Sequence, residues 1–140
     1  MLKFVALRRP TPSQARQLCA LYRGQGWWAS CRARELLRVV RGSHCFMVAA
    51  QGTEIVGMGR AISDGASDAY IQDVMVRPDH RGLGIGSAIV AFLRERCLGE
   101  GVAWVGLIAA PGTQGFYERL GFRAMEAHVP MLLGNPGMSR

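Results

Sequence analysis

The apolar positions of this chain change period repeatedly along its length. Residues 3–8 (KFVALR) alternate as a strand does, whereas Ala15, Leu18, Cys19 and Tyr22 recur at helical spacing. Thr11 stands ahead of them as an N-cap, with Pro12 at the first helical position and Gln14 completing a capping box. Residues 24–29 (GQGWWA) break that helix. A second, shorter helix is predicted from a Ser30 cap to Gly42, with Leu36, Leu37 and Val40 apolar. Residues 44–51 and 54–62 are predicted strands joined by Gly52-Thr53, a hairpin spacing, and residues 69–76 (AYIQDVMV) form a third before Pro78 ends the run. Ala88, Ile89, Phe92 and Leu93 return to helical spacing until Gly99 and Gly101. The run 102–110 (VAWVGLIAA) is apolar throughout, which predicts a central strand covered on both faces. A short helix over TQGFYERLGF ends at Gly121, residues 123–133 are expected to add a last strand, and a tail with Pro136 and Gly137 follows. The order β-α-α-β-β-β-α-β-α-β results, an α/β (α+β) arrangement in one domain spanning 1–140.

Composition narrows this little further. A chain of 140 residues, 49% of them apolar, suffices for one core. No eighteen apolar residues run together, and residues 4–7 between Lys3 and Arg8 are too few for a signal peptide, so a soluble cytoplasmic protein with no membrane partner is expected. Seventeen basic against ten acidic residues leave a formal charge of +7, and all the basic residues except Lys3 are arginine. That balance favours an anionic ligand. Arg32, Arg34, Arg38 and Arg41 spread around the second helix without any nucleic-acid motif, so no nucleic-acid partner is expected. Cys19, Cys31, Cys45 and Cys97 show neither a CxxC pair nor histidines at ligand spacing; buried, reduced thiols and no metal site are expected.

The stretch RPDHRGLGIGSA carries the candidate chemistry. Gly82, Gly84 and Gly86 alternate just where a helix should begin, and glycine there leaves backbone N–H groups open to a phosphate at the helix N-terminus. A dinucleotide fold is disfavoured because no acidic residue ends the next strand, and no Gly-Lys-Ser/Thr is present for a P-loop.

VMVRPDHRGLGIGSAIV resembles the acetyl-coenzyme A binding segment of the GNAT superfamily of N-acetyltransferases, with Arg81-x-x-Gly84-x-Gly86 in the place of its signature. GFYERLGF, residues 115–122, resembles that family's second familiar segment. The resemblance implies a GNAT fold, a mixed and mostly antiparallel sheet flanked by helices. It also implies direct transfer of an acetyl group from acetyl-CoA to a primary amine. Arg81, Gly82, Leu83, Gly84, Ile85, Gly86 and Ser87 would then cradle the pyrophosphate, Val74, Met75 and Val76 would pair with the pantetheine arm, and Gln114 and Phe116 would flank the coenzyme. Tyr117 matches a tyrosine that relatives place near the coenzyme sulfur, as the acid for the leaving thiolate; a residue packing helix to sheet is the alternative.

Asp73 is the only carboxylate within 69–76 and is the first choice of base, through water, with a structural aspartate as the alternative. Strand alternation sets Tyr70, Gln72 and Val74 on one face and Ile71, Asp73 and Met75 on the other. Trp27, Trp28 and Tyr70 are candidate acceptor contacts, the tryptophans alternatively capping the core. The resemblance extends to small members similar to arylalkylamine acetyltransferases, some of which form homodimers. Acetylation of a protein N-terminus or lysine, or a non-catalytic CoA-binding module, are the other readings.

Overall fold

The computed structural model describes residues 1–134; the predicted tail residues Pro136 and Gly137 lie outside the described residues. The strands are β1 (Leu2–Ala6), β2 (Cys45–Gln51), β3 (Glu54–Ser63), β4 (Asp68–Val76) and β5 (Trp104–Leu107), and the helices are α1 (Pro12–Gly24), α2 (Ala33–Gly42), α3 (Ile85–Gly99) and α4 (Gln114–Glu118). They form one sheet in the order β1-β2-β3-β4-β5, antiparallel except for the β4/β5 pair. One face packs α1 and α2 through Leu18, Tyr22, Leu36, Phe46 and Met58. The other packs α3 through Met47, Val56, Ile85, Ile89 and Leu93.

Local sequence accounts for much of this. Thr11 Oγ1 accepts from the Gln14 N–H while Gln14 Oε1 accepts from the Thr11 N–H, the reciprocal box that starts α1. The Gly52-Thr53 hairpin and three consecutive antiparallel strands are present as predicted. Two glycines of β3 set the depth of α3. A Cβ on Gly59 would come 2.7 Å from the Ile89 side chain, and one on Gly57 would come 3.1 Å from Ile85. Their bare backbone brings the helix close to the sheet.

Four expectations are corrected. Cys19 and Cys31 form a disulfide, because the chain doubles back after α1 and brings their Cα atoms within 5.4 Å; Cys45 and Cys97 are free and buried. Ser30 does not cap α2. Arg23 donates to the Cys31 carbonyl at 2.7 Å, Ser30 lies in a turn closed by Cys31 N–H to the Trp28 carbonyl, and the helix begins at Ala33 behind an extended Arg32. The run 102–110 supplies only the short β5 at an edge of the sheet, since Val102 is tied to Cys97 at the end of α3 and Ile108 is already largely exposed. Residues 123–133 form no strand. Ala127 sits at φ 58, the His128 N–H turns back to Met125, and Pro130 has no N–H to give, so β5 gains no second neighbour.

Candidate active site

The site begins with a defect in the sheet. Met58 lies opposite Met75, but Arg60 lies opposite Gln72, so β4 holds one extra residue. Asp73 takes a left-handed φ of 57°, a conformation that aspartate and asparagine tolerate better than most residues. The bulge resets the alternation. Ala69 and Ile71 pack toward α3, then Val74 and Val76 do, while Asp73 and Met75 turn toward α1 and α2. The expected grouping of Val74 with Tyr70 and Gln72 is thereby overturned.

Asp73 is buried, and its Oδ2 accepts from Tyr22 Oη at 2.8 Å and from Arg60 Nε at 2.6 Å. Arg60 also reaches Ser43 Oγ at 3.4 Å and Gln72 Oε1 at 3.5 Å. The carboxylate proposed from sequence as a base is therefore bound to an arginine and a phenol within the protein. Trp28 stands edge-on to Tyr22 with ring centroids 5.6 Å apart, and both Trp27 and Trp28 pack against the α1/α2 core. Trp28 meets the bulge through Tyr22.

Beyond the bulge β4 keeps β3 as a neighbour but loses β5. Its ladder with β5 spans Asp68–Trp104 to Ile71–Leu107, and the following residues, Val74, Met75 and Val76 among them, have β3 on one side and no strand on the other. After the turn Pro78–His80, Gly82 and Gly84 take φ 78° and 79°, and Gly84 is the N-cap of α3. The first helical bond is Ala88 N–H to Gly84 O. The N–H groups of Ile85, Gly86 and Ser87 thus face out of the helix end. A Cβ on Gly82 or Gly84 would meet nothing within 4 Å, so no internal packing demands glycine there. The exposed Leu83 points away from the core and Ile85 into it, leaving backbone as what this turn presents. Arg81 folds back, its Nε donating to the Val76 carbonyl at 3.2 Å. Its remaining N–H donors lie where β4 ends and α3 begins.

Helix α4 packs on this turn. A Cβ on Gly86 would lie 3.3 Å from Phe116 and 3.5 Å from Val76, so Gly86 serves packing where Gly82 and Gly84 serve access. Tyr117 is held edge-on by Phe116 and Phe122 at centroid distances of 5.0 and 6.0 Å, and burial pushes its phenol above the ordinary value. Its hydroxyl makes no side-chain hydrogen bond among the described residues. Gln114 is exposed at the start of α4, and Thr113 Oγ1 is spent on the Ala110 carbonyl.

On the face of α1 and α2, Tyr70 and Trp104 form a tilted ring pair 5.3 Å apart, each a little over 40% exposed. Trp104 lies over Gly106, where a Cβ would come 2.7 Å from the indole. Sequence reasoning missed Trp104, Gly106, Arg60 and Tyr22 as site residues. The only signal was a glycine two positions after a tryptophan in an otherwise apolar strand.

A helix end bared of side chains beside an unpaired strand edge is a seat for a phosphate-bearing carrier with a peptide-like arm. The chain belongs to the acetyltransferase (GNAT) domain family, whose profile matches residues 42–124. It is 36% identical over 70 residues to an uncharacterized N-acetyltransferase, ycf52, of Pyropia yezoensis, covering 50% of this chain and 40% of that protein. It is 42% identical over 67 residues to a chloroplastic serotonin N-acetyltransferase 2 of Oryza sativa subsp. japonica, covering 48% and 34%. A histone acetyltransferase, TAP1, of Glycine max is 36% identical over 91 residues, covering 63% and 38%. The chain thus spans about two fifths or less of the length of these relatives. A Trypanosoma brucei acetyltransferase structure superposes with a TM-score of 0.78 at 26% identity, covering 95% of this chain and all of that one. A probable acetyltransferase of Staphylococcus aureus, at TM-score 0.79 and 24% identity over 96% of this chain and all of that one, shares the fold. No helix among the described residues is long and apolar enough to cross a membrane.

Proposed function

We propose that the chain transfers an acetyl group from acetyl-CoA directly to a primary amine, with a small arylalkylamine-like acceptor as the favoured class. The observation that carries the reading is the open helix end at Gly82 and Gly84 beside the unpaired edge of β4. The N–H groups of Ile85, Gly86 and Ser87 and the positive end of α3 would hold the pyrophosphate, with Arg81 adding a charge-assisted bond. The backbone of Val74, Met75 and Val76 would pair with the pantetheine arm as an added strand does. Bound there, the coenzyme supplies an acetyl thioester. Backbone N–H groups on that edge would stabilise the developing oxyanion. Tyr117, kept protonated by its burial, would donate its proton to the departing sulfur.

A direct transfer is supported by the cysteines. Cys19 and Cys31 are paired, and burial pushes the Cys45 and Cys97 thiols up, which disfavours the thiolate an acyl-enzyme would need. Asp73 acts in this reading through its partners, positioning Arg60 and Tyr22. The Tyr70 and Trp104 rings supply a flat apolar shelf with negative π faces, suited to an aromatic body or an ammonium. The name of the rice relative points the same way.

Thiol release from acetyl-CoA, measured with tryptamine, phenethylamine, spermidine and a lysine peptide, tests the proposal. Turnover fastest on the arylalkylamines is expected, and Gly84→Glu, which sets an anion at the helix end, should abolish coenzyme binding. Turnover on the peptide alone would replace the acceptor class by a protein. Coenzyme affinity unchanged by Gly84→Glu would overturn the site.

A further inference from the structure

We propose that this chain has a second anion site, separate from the coenzyme loop, that takes a phosphate-bearing small molecule. A cavity of about 540 Å³ opens between the end of α2 and the last turn of α3, lined by Arg8, Arg9, Arg41, Ser43, His44 and Arg96 among others. That is a usual size for a small-ligand pocket.

Its charge is unbalanced. Three arginines elsewhere find carboxylates: Arg60 with Asp73, Arg77 with Glu54 and Asp79, Arg94 with Glu95. The side chains of Arg8, Arg9 and Arg41 form no ion pair or hydrogen bond among the described residues. The nearby anion is Glu100, and both its oxygens are taken, Oε2 by His44 Nε2 at 2.5 Å and Oε1 by Arg96. Burial raises the Cys45 thiol and so keeps that part of the wall neutral. Three arginines without a carboxylate partner thus line one concavity. Their planar forks match phosphate oxygens two at a time.

The concavity argues for a small molecule over a duplex. Arg34 and Arg38 share an exposed face of α2 with Arg41 but do not line the cavity, which makes them the matched control for surface charge alone. Nor is this the coenzyme's seat. The glycine loop opens α3 and Arg96 lies in its last turn, roughly 16 Å away along the axis.

The test is calorimetric titration of inorganic pyrophosphate into the protein already saturated with coenzyme A, so that the glycine loop is filled. Prior titration of the coenzyme itself reports on that loop separately. One pyrophosphate per chain is expected, with affinity falling at least tenfold in the exposed-site double variant Arg8→Gln/Arg41→Gln. The charge-matched Arg34→Gln/Arg38→Gln should stay within twofold. No heat at coenzyme saturation would overturn the proposal, as would equal losses in the two double variants, which indicate general electrostatics. Tighter binding of a labelled DNA duplex than of pyrophosphate, weakened alike by both variants, would replace the pocket by a nucleic-acid surface.

Discussion

Tyr117 and Asp73, the two candidate proton carriers, sit in opposite surroundings, one among rings and the other between an arginine and a phenol. Tyr117 has a hydroxyl not claimed by another side chain and a phenol that burial keeps protonated. Replacing it by phenylalanine should lower kcat by about ten- to a thousand-fold with coenzyme affinity nearly unchanged. Because its value is raised above the ordinary 10 or so, the acid is intact throughout neutral and mildly alkaline solution. The kcat profile should therefore show no falling limb assignable to Tyr117 between about pH 7 and 9.5, and a limb in that window that Tyr117→Phe abolishes would refute the assignment. Asp73 is the opposite case. Asparagine there keeps the tolerance for φ 57° but removes the charge facing Arg60, whose side chain is only 14% exposed. Breaking one partner of such a pair costs about 3 kcal/mol, so Asp73→Asn should lower the denaturation midpoint substantially. A base acting directly would instead lose turnover with stability unchanged. The bulge that decides this leaves no mark in residue order, because period-2 alternation assumes an unbroken ladder.

At the scale of elements, what was read correctly had a local cause. The capping box, the Gly52-Thr53 hairpin and the glycine turn are each specified within a few residues. What was misread depended on distant neighbours. The 102–110 run was expected to be central, but strand position depends on whether residues 123–133 return to pair, and they do not. Likewise the Cys19–Cys31 bond follows from how α1 and the next segment meet, which spacing alone does not reveal. The glycines of β3 belong to this scale too. Gly59 admits α3 to the sheet, and α3 carries the coenzyme loop at its first turn. Gly59→Ala should push Ile89 outward at a cost of about 1–3 kcal/mol and weaken coenzyme binding as well, although Gly59 lies outside the loop. Thermal melts and coenzyme titration on that variant read both effects. A loss of stability with unaltered affinity would show that the depth of α3 does not govern the loop.

Across the whole molecule, the two faces of the sheet divide the work. The α3 face and the helix end offer backbone donors, while the opposite face offers side chains: the Tyr22–Asp73–Arg60 cluster and the Tyr70–Trp104 shelf. The half proposed to seat the coenzyme was readable because glycine and helix-start patterns are local. The half proposed to receive the acceptor was not, because Trp104 and Tyr70 lie 34 positions apart and meet only through the parallel β4/β5 register, Tyr70 opposite Gly106. That pairing gives the acceptor proposal its sharpest consequence. Ring contacts contribute about 0.5–1.5 kcal/mol beyond burial, so Trp104→Ala should raise KM for tryptamine about three- to tenfold and leave kcat and the KM for acetyl-CoA unchanged. Gly106→Ala keeps the indole but drives it off its seat, since the new Cβ would fall 2.7 Å from the ring. It should raise the same KM. If both variants left the tryptamine KM unaltered while turnover persisted, the shelf would be a packing feature of the sheet edge, and the acceptor would bind without it.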